Sequence, residues 1–203
     1  MTRKSRPDHS KLFELATEQA GYFTSEQARR WGFTWDLLSY HAQKGNFQRV
    51  RRGLYRMARF PSSPYEEVVA AWLGFDPKKT VVSHETALQL FDLADVVPAK
   101  IHLTAPRSHR SRKSPAGVRV HTALRSPGRN DIVIRHGVRA TTPARSIADS
   151  AAYGTAPEQI ARAVREALSR GLATRSELLV AARRHGGRAE KLIRRAVEEA
   201  RAS

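Results

Sequence analysis

The chain of 203 residues contains no cysteine. Disulfides, thiol nucleophiles, iron–sulfur clusters and cysteine-ligated zinc are therefore excluded. No run reaches the roughly 18 apolar residues that a membrane-spanning helix needs. No apolar stretch follows the basic opening MTRKSRPDHSK, as it would in a secretory signal. These absences lead us to expect a cytoplasmic protein with no membrane partner. Aromatic residues make up only 7% of the chain, and none alternate along a candidate strand. That argues against the stacking platform of a single-stranded RNA binder. There is no G-x-S-x-G elbow, no P-loop and no G-x-G-x-x-G fingerprint, so no catalytic residue is assigned and an enzyme is not expected.

Acidic residues are scarce too: 19 against 36 lysines and arginines, a net charge of +17. Such an excess favours a polyanionic partner. Because 28 of the basic residues are arginine, compositional bias could contribute, and placement is more telling than the total. Residues 1–60 carry +7, 61–100 carry −3, 101–155 carry +8 and 156–203 carry +5. A uniform drift toward arginine would not leave the acidic gap.

With 40% apolar residues, the chain can build real cores. Ser10 is placed to cap a first helix that stops at Gly21. Thr24 to Gln27 form a capping box for a short second helix closed by Gly32. Thr34 caps a third helix, WDLLSYHAQK, and two strands follow around Gly53. This order of helices and hairpin predicts a winged helix-turn-helix in residues 1–60. From residue 61 to 203 we expect a mixed α/β domain, making the whole chain α+β. Ser63 and Glu66 suggest a capping box with Pro64 at the first helical position and Gly74 as the stop. A buried strand and a helix capped by Ser83 come next. KIHLTAP, GVRVHTA, DIVIRHG and VRATT read as strands. Ser108 to Gly117 reads as an exposed basic loop. Helices starting at Pro143 and near Pro157, Arg175 and Arg188 complete the domain, with Thr174 to Glu177 as a further capping box.

The functional signal lies in residues 34–56. Trp35, Leu38 and Ala42 share a helical face suited to packing inward. Thr34, Ser39, Tyr40, Gln43 and Lys44 take outward directions, and their hydroxyl, amide and ammonium groups are the types that reach phosphates and base edges. Trp35, at the helix start, is counted with this DNA-binding set as well. The hairpin NFQRVRRGLYRM carries Arg49, Arg51, Arg52 and Arg56, with no acid between Lys44 and Arg59. A self-repelling cluster of this kind calls for an anion or for solvent screening, and a wing on the phosphate backbone supplies the former. Gly53 provides the positive φ of the turn, with Val50, Leu54 and Tyr55 as anchors. Arg29 and Arg30 are expected to add phosphate contacts.

Other constellations are weaker. His102 and His121 lie on candidate neighbouring strands and His84 begins a helix, so three imidazoles could converge. No His-x-His, no His-x-x-x-His and no acid at ligand spacing accompanies them, so no metal and no cofactor are expected. His84 is read as a local polar contact of Ser83. Asp149 is expected to pair with Arg145 one helical turn away.

The stretch GYFTSEQARRWGFTWDLLSYHAQKGNFQRVRRGLYRM resembles the N-terminal domain of AbiEi-type antitoxins, in which a G-x-F-T opening precedes the motif and RVRRGxYR ends it. VVSHETALQLFDL, IHLTAPRS, GVRVHTA and TTPARSIADSA are similar to the middle region of bacterial proteins sharing that domain. The resemblance implies a transcriptional autorepressor that binds inverted repeats in double-stranded DNA ahead of its own operon. It also implies an antitoxin activity, carried by residues 61–203, against a cognate nucleotidyltransferase-like toxin. Some relatives end in a nuclease-like domain with a D…(D/E)xK signature. Here the corresponding triplet is Asp76-Pro77-Lys78, where proline makes a turn and not the required strand. The alternatives are a protein-neutralising module whose basic helices grip a toxin, and an RNA-binding module.

Overall fold

The computed structural model describes residues 6–111, 113–123 and 126–202 and is α+β. The chain divides into two compact units, one running to Lys78 and including His136–Val138, the other formed by Lys79–Arg135 and the residues from Arg139 onward.

The first unit begins with α1 (His9–Glu18), β1 (Tyr22–Thr24), α2 (Ser25–Arg30) and α3 (Trp35–Gln43). The antiparallel strands β2 (Phe47–Arg51) and β3 (Leu54–Met57) follow, with β3 central in the sheet order β1-β3-β2. This is a winged helix-turn-helix. Its core gathers Leu12, Ala16, Phe23, Ala28, Phe33, Leu38, Phe47 and Tyr55. Phe23 packs edge-on against Phe47 with ring centres 5.0 Å apart. Thr24 and Gln27 form the expected capping box, and the Thr34 hydroxyl accepts from the Leu37 amide at 3.2 Å. At α1 the cap is Asp8, whose carboxylate accepts from Lys11 N, and Ser10 already lies inside the helix. A carboxylate at that end also complements the helix dipole.

Two expected core positions differ. Trp35 is 55% exposed. Phe33, just before the Thr34 cap, fills the slot beside Leu38, the fourth residue of α3, in the manner of a hydrophobic staple. Val50 is 42% exposed. The β2–β3 register slips between Arg49 and Arg51, so Val50 is the extra residue of a bulge and does not anchor the hairpin.

The first unit extends beyond the boundary expected near residue 60. Helix α4 (Glu66–Phe75) belongs to it. Residue Tyr65 precedes this helix without a side-chain cap, and Ser63 instead accepts from Tyr65 N, so the anticipated Ser63–Glu66 box does not form. Nor does Gly74 stop the helix, which continues through it. The Arg51 guanidinium lies where a Cβ on Gly74 would sit, so glycine serves a close approach here.

The second unit holds β4 (Val81–Val82), α5 (His84–Leu90), β5 (Ile101–Pro106), β6 (Val118–Ala123), β7 (Ile132–Arg135) and, from Arg139 onward, β8 (Val138–Thr141). The five strands form a mixed sheet in the order β6-β5-β4-β8-β7. Strand β5 runs parallel to β6 and antiparallel to β4, while β4 runs parallel to β8. Helices α6 (Pro143–Tyr153), α7 (Pro157–Ser169), α8 (Arg175–His185) and α9 (Gly187–Ala202) follow. The Thr174–Glu177 capping box forms as expected. The basic loop begins with a 3-10 turn, Arg107–His109, in which His109 is buried; Arg112 lies outside the described residues.

Candidate nucleic-acid interface

Helix α3 presents Thr34, Trp35, Ser39, Tyr40, Gln43 and Lys44 exposed. Two cations sit near its aromatic rings, Arg29 5.8 Å from the centre of Trp35 and Lys44 5.9 Å from Tyr40. At such spacing a guanidinium or ammonium is attracted to the ring while its donors still face solvent. Trp35 thus holds an outward place as the first residue of α3, directly after the Thr34 cap, a role its helical phase alone concealed.

The four wing arginines divide into two pairs. Arg49 and Arg52 are exposed and make no ion pair with any described residue. Arg51 and Arg56 are turned inward, contrary to the expected phosphate-facing position. Arg51 donates to the carbonyl of Ala70 in α4, and burial lowers its pKa. The last turn of α4 has no basic residue of its own, and this guanidinium supplies a cation toward that end of the helix. Arg56 donates to the carbonyls of Phe60 and Pro61 at 3.0 and 3.2 Å and pairs with Glu66 at 3.1 Å. Its side chain is 12% exposed. Both arginines fasten α4 to the wing. The sequence signal for this was the acidic pair Glu66-Glu67 next to an arginine-rich hairpin.

Gly53 adopts φ +77°, and its carbonyl accepts from Ser25 N at 2.9 Å, tying the turn to the start of α2. At the end of α2, Arg29 and Arg30 are exposed. Arg30 stands 3.7 Å from Glu26, which also pairs with Lys78, so Arg30 is partly neutralised and Arg29 makes no ion pair with a described residue.

In the second unit, Asp149 is paired with Arg145 as expected, at 2.9 Å, and also with His185 at 2.7 Å, a partner 36 residues away that local spacing could not indicate. Burial alone would raise the Asp149 pKa, but the His185 hydrogen bond and the neighbouring His84 and Arg145 charges hold it below the usual carboxylate value. The same bond raises His185, against burial. Arg145 and Arg184 extend the network to Asp131 at 3.7 and 3.3 Å. His84 contacts the Ser83 hydroxyl at 2.9 Å, as read from the sequence. Its ring also meets those of His102 and His121, so the three imidazoles do converge. His84 carries φ +54°, an uncommon left-handed conformation that histidine tolerates better than most residues.

Among the described residues, no helix is long and apolar enough to cross a membrane. The crystal structure of the RV2827C protein from Mycobacterium tuberculosis has a similar fold, with a TM-score of 0.59 at 13% identity over 96% of this chain and 78% of that one. No curated protein matches the sequence. Residues 10–58, from α1 to the end of the wing, match the family described as "transcriptional regulator, AbiEi antitoxin", so the winged helix-turn-helix is the part of the chain that is similar to that family.

Proposed function

We propose that the protein is a sequence-specific double-stranded DNA-binding repressor of its own operon and the antitoxin of a bacterial toxin–antitoxin pair. Its partner in that reading is a nucleotidyltransferase-like toxin. The observation that carries the DNA-binding part is the exposed polar face of α3 together with two wing arginines, Arg49 and Arg52, that no carboxylate among the described residues neutralises. Ser39, Tyr40 and Gln43 are the candidates for base edges. Thr34, whose oxygen already accepts from Leu37, keeps a hydroxyl proton for a phosphate. Lys44, Arg29, Arg30, Arg49 and Arg52 hold the backbone, and Trp35 packs beside it. Arg51 and Arg56 are left out of this set. An RNA platform is disfavoured because the three-stranded sheet buries Phe23, Phe47 and Tyr55 in its own core.

The test is fluorescence anisotropy of the full chain on duplex DNA from upstream of its own gene, against a scrambled duplex of equal length and at matched salt. Preference for the natural duplex, with protection of an inverted repeat in a footprint, is the expected result. Equal affinity for both duplexes would overturn sequence-specific repression. Co-expression with the neighbouring reading frame then tests the antitoxin part: rescue of growth supports it, and undiminished toxicity refutes it.

A further inference from the structure

The sheet of the second unit places three histidines together by its register. His102 on β5 is paired with Arg119 and Thr104 with His121 on β6, so His102 and His121 are diagonal neighbours on one face. His84 follows directly on β4 through Ser83, whose backbone amide donates to the His102 carbonyl at 3.0 Å. One ring nitrogen from each histidine lies within 4.8 Å of the other two. His102 Nδ1 and His121 Nε2 are 3.3 Å apart. That matches the separation of about 3.3 Å between two nitrogens in a tetrahedral site with bonds of about 2.0–2.1 Å.

We propose that His84, His102 and His121 bind one divalent transition-metal ion of the zinc class, leaving its fourth position to water or another oxygen ligand. His102 offers Nδ1 and His121 offers Nε2. His84 has Nδ1 turned to the Ser83 hydroxyl, which leaves Nε2 for the metal. Thr104 in turn donates to Ser83 at 2.7 Å, so the histidine is oriented by a chain of outer hydrogen bonds, as metal-ligating imidazoles usually are. Drawing the third nitrogen into place takes rotation of the rings about their soft χ2 torsions. In binding, the ion takes the place of the proton shared between His102 and His121. The ring that carried it changes tautomer, moving that proton to its other nitrogen, so that each neutral ring ends with one N–H facing away from the metal.

Two further observations agree. Asp149 lies close enough for its charge to act on His84 and His121, and its Oδ2 is buried without a hydrogen-bond partner. A cation in the cluster would add to the stabilisation that Arg145 and His185 already give this carboxylate. The Tyr153 ring stands perpendicular to all three imidazoles, with centres 4.9–5.6 Å away, and forms one wall of the site.

The inference does not depend on DNA binding. Full-length chain stripped with chelator is titrated with zinc chloride by calorimetry in excess magnesium. Cobalt(II) serves as a spectroscopic probe and X-ray absorption counts the nitrogens. One equivalent of zinc, a tetrahedral cobalt spectrum and three imidazole nitrogens are expected. His121→Gln should weaken binding at least about tenfold with its circular dichroism spectrum kept. His9→Gln, which removes an exposed histidine of the first unit whose ring meets His41 edge-on, should leave it unchanged. Failure of the parent to take up zinc would overturn the proposal. So would fewer than three imidazoles, or binding that survives His121→Gln. If that variant does not fold, the parent's spectrum and nitrogen count decide alone.

Discussion

Two arginines one residue apart, Arg51 and Arg52, have opposite environments, and charge alone does not distinguish them. Arg52 points to solvent beside Gly53, whereas Arg51 lies against Gly74 and donates into α4. Each phosphate contact contributes about 0.9 to the slope of log K against log salt. Replacing Arg49 and Arg52 together with alanine should therefore lower that slope by about 1.8 and leave the melting temperature nearly unchanged. An unchanged slope would remove both residues from the phosphate backbone. Arg56→Ala should behave in the reverse way. It strands Glu66 in a half-buried pair, so a loss of about 2–3 kcal/mol in urea unfolding is expected. Unaltered stability would show that the pair does not hold α4. Gln43→Ala should change the ranking of operator variants by about 1–3 kcal/mol at one base pair. A uniform loss across variants would instead make Gln43 a positioning contact.

At the scale of elements, packing between α6 and α8 is fastened by the Asp149–His185 pair, and its contribution depends on pH in a definite sense. His185 has a raised folded pKa, so its stabilisation is complete below the unfolded value of about 6.5 and declines as pH rises through the folded value. Asp149 has a depressed folded pKa, so its share is present above about 3.9 and is lost as pH falls through the folded value. The pair is strongest between these limits. The destabilisation caused by His185→Gln, read from urea midpoints against the parent, should be largest near pH 6, by this reasoning, and shrink toward about pH 9. Growth of the difference with rising pH would contradict the pairing. Most elements were visible from local chemistry. Capping boxes at Thr24 and Thr174, the Thr34 cap and the glycine turn at Gly53 each lie within a few residues of what they control. Asp8 and Phe33 were missed because a cap or staple residue just outside a helix lies outside its periodic pattern.

At the scale of the whole molecule, a chain ending near residue 60 and one ending at Lys78 should differ. The shorter lacks α4 and removes the Ala70 acceptor of Arg51 and the Pro61 and Glu66 partners of Arg56, with Arg51 Nε and Arg56 Nε already buried and unsatisfied. Its urea midpoint should lie clearly below that of the longer fragment, and equal midpoints would mean that α4 is dispensable to the wing.

The sequence by itself determined the class of the fold, the positions of nearly all helices and strands, the helix-turn-helix and its exposed polar face. These follow from periodicity, caps and turn residues, which act over one or two helical turns. Only the tertiary structure decided which wing arginines remain free, where the first unit ends and which imidazoles meet. Each of those outcomes depends on partners tens of residues away, as with Arg51 and Ala70, Asp149 and His185, or His84 and His121. Strand register and helix docking set such distances, and neither is written in the spacing of neighbouring residues.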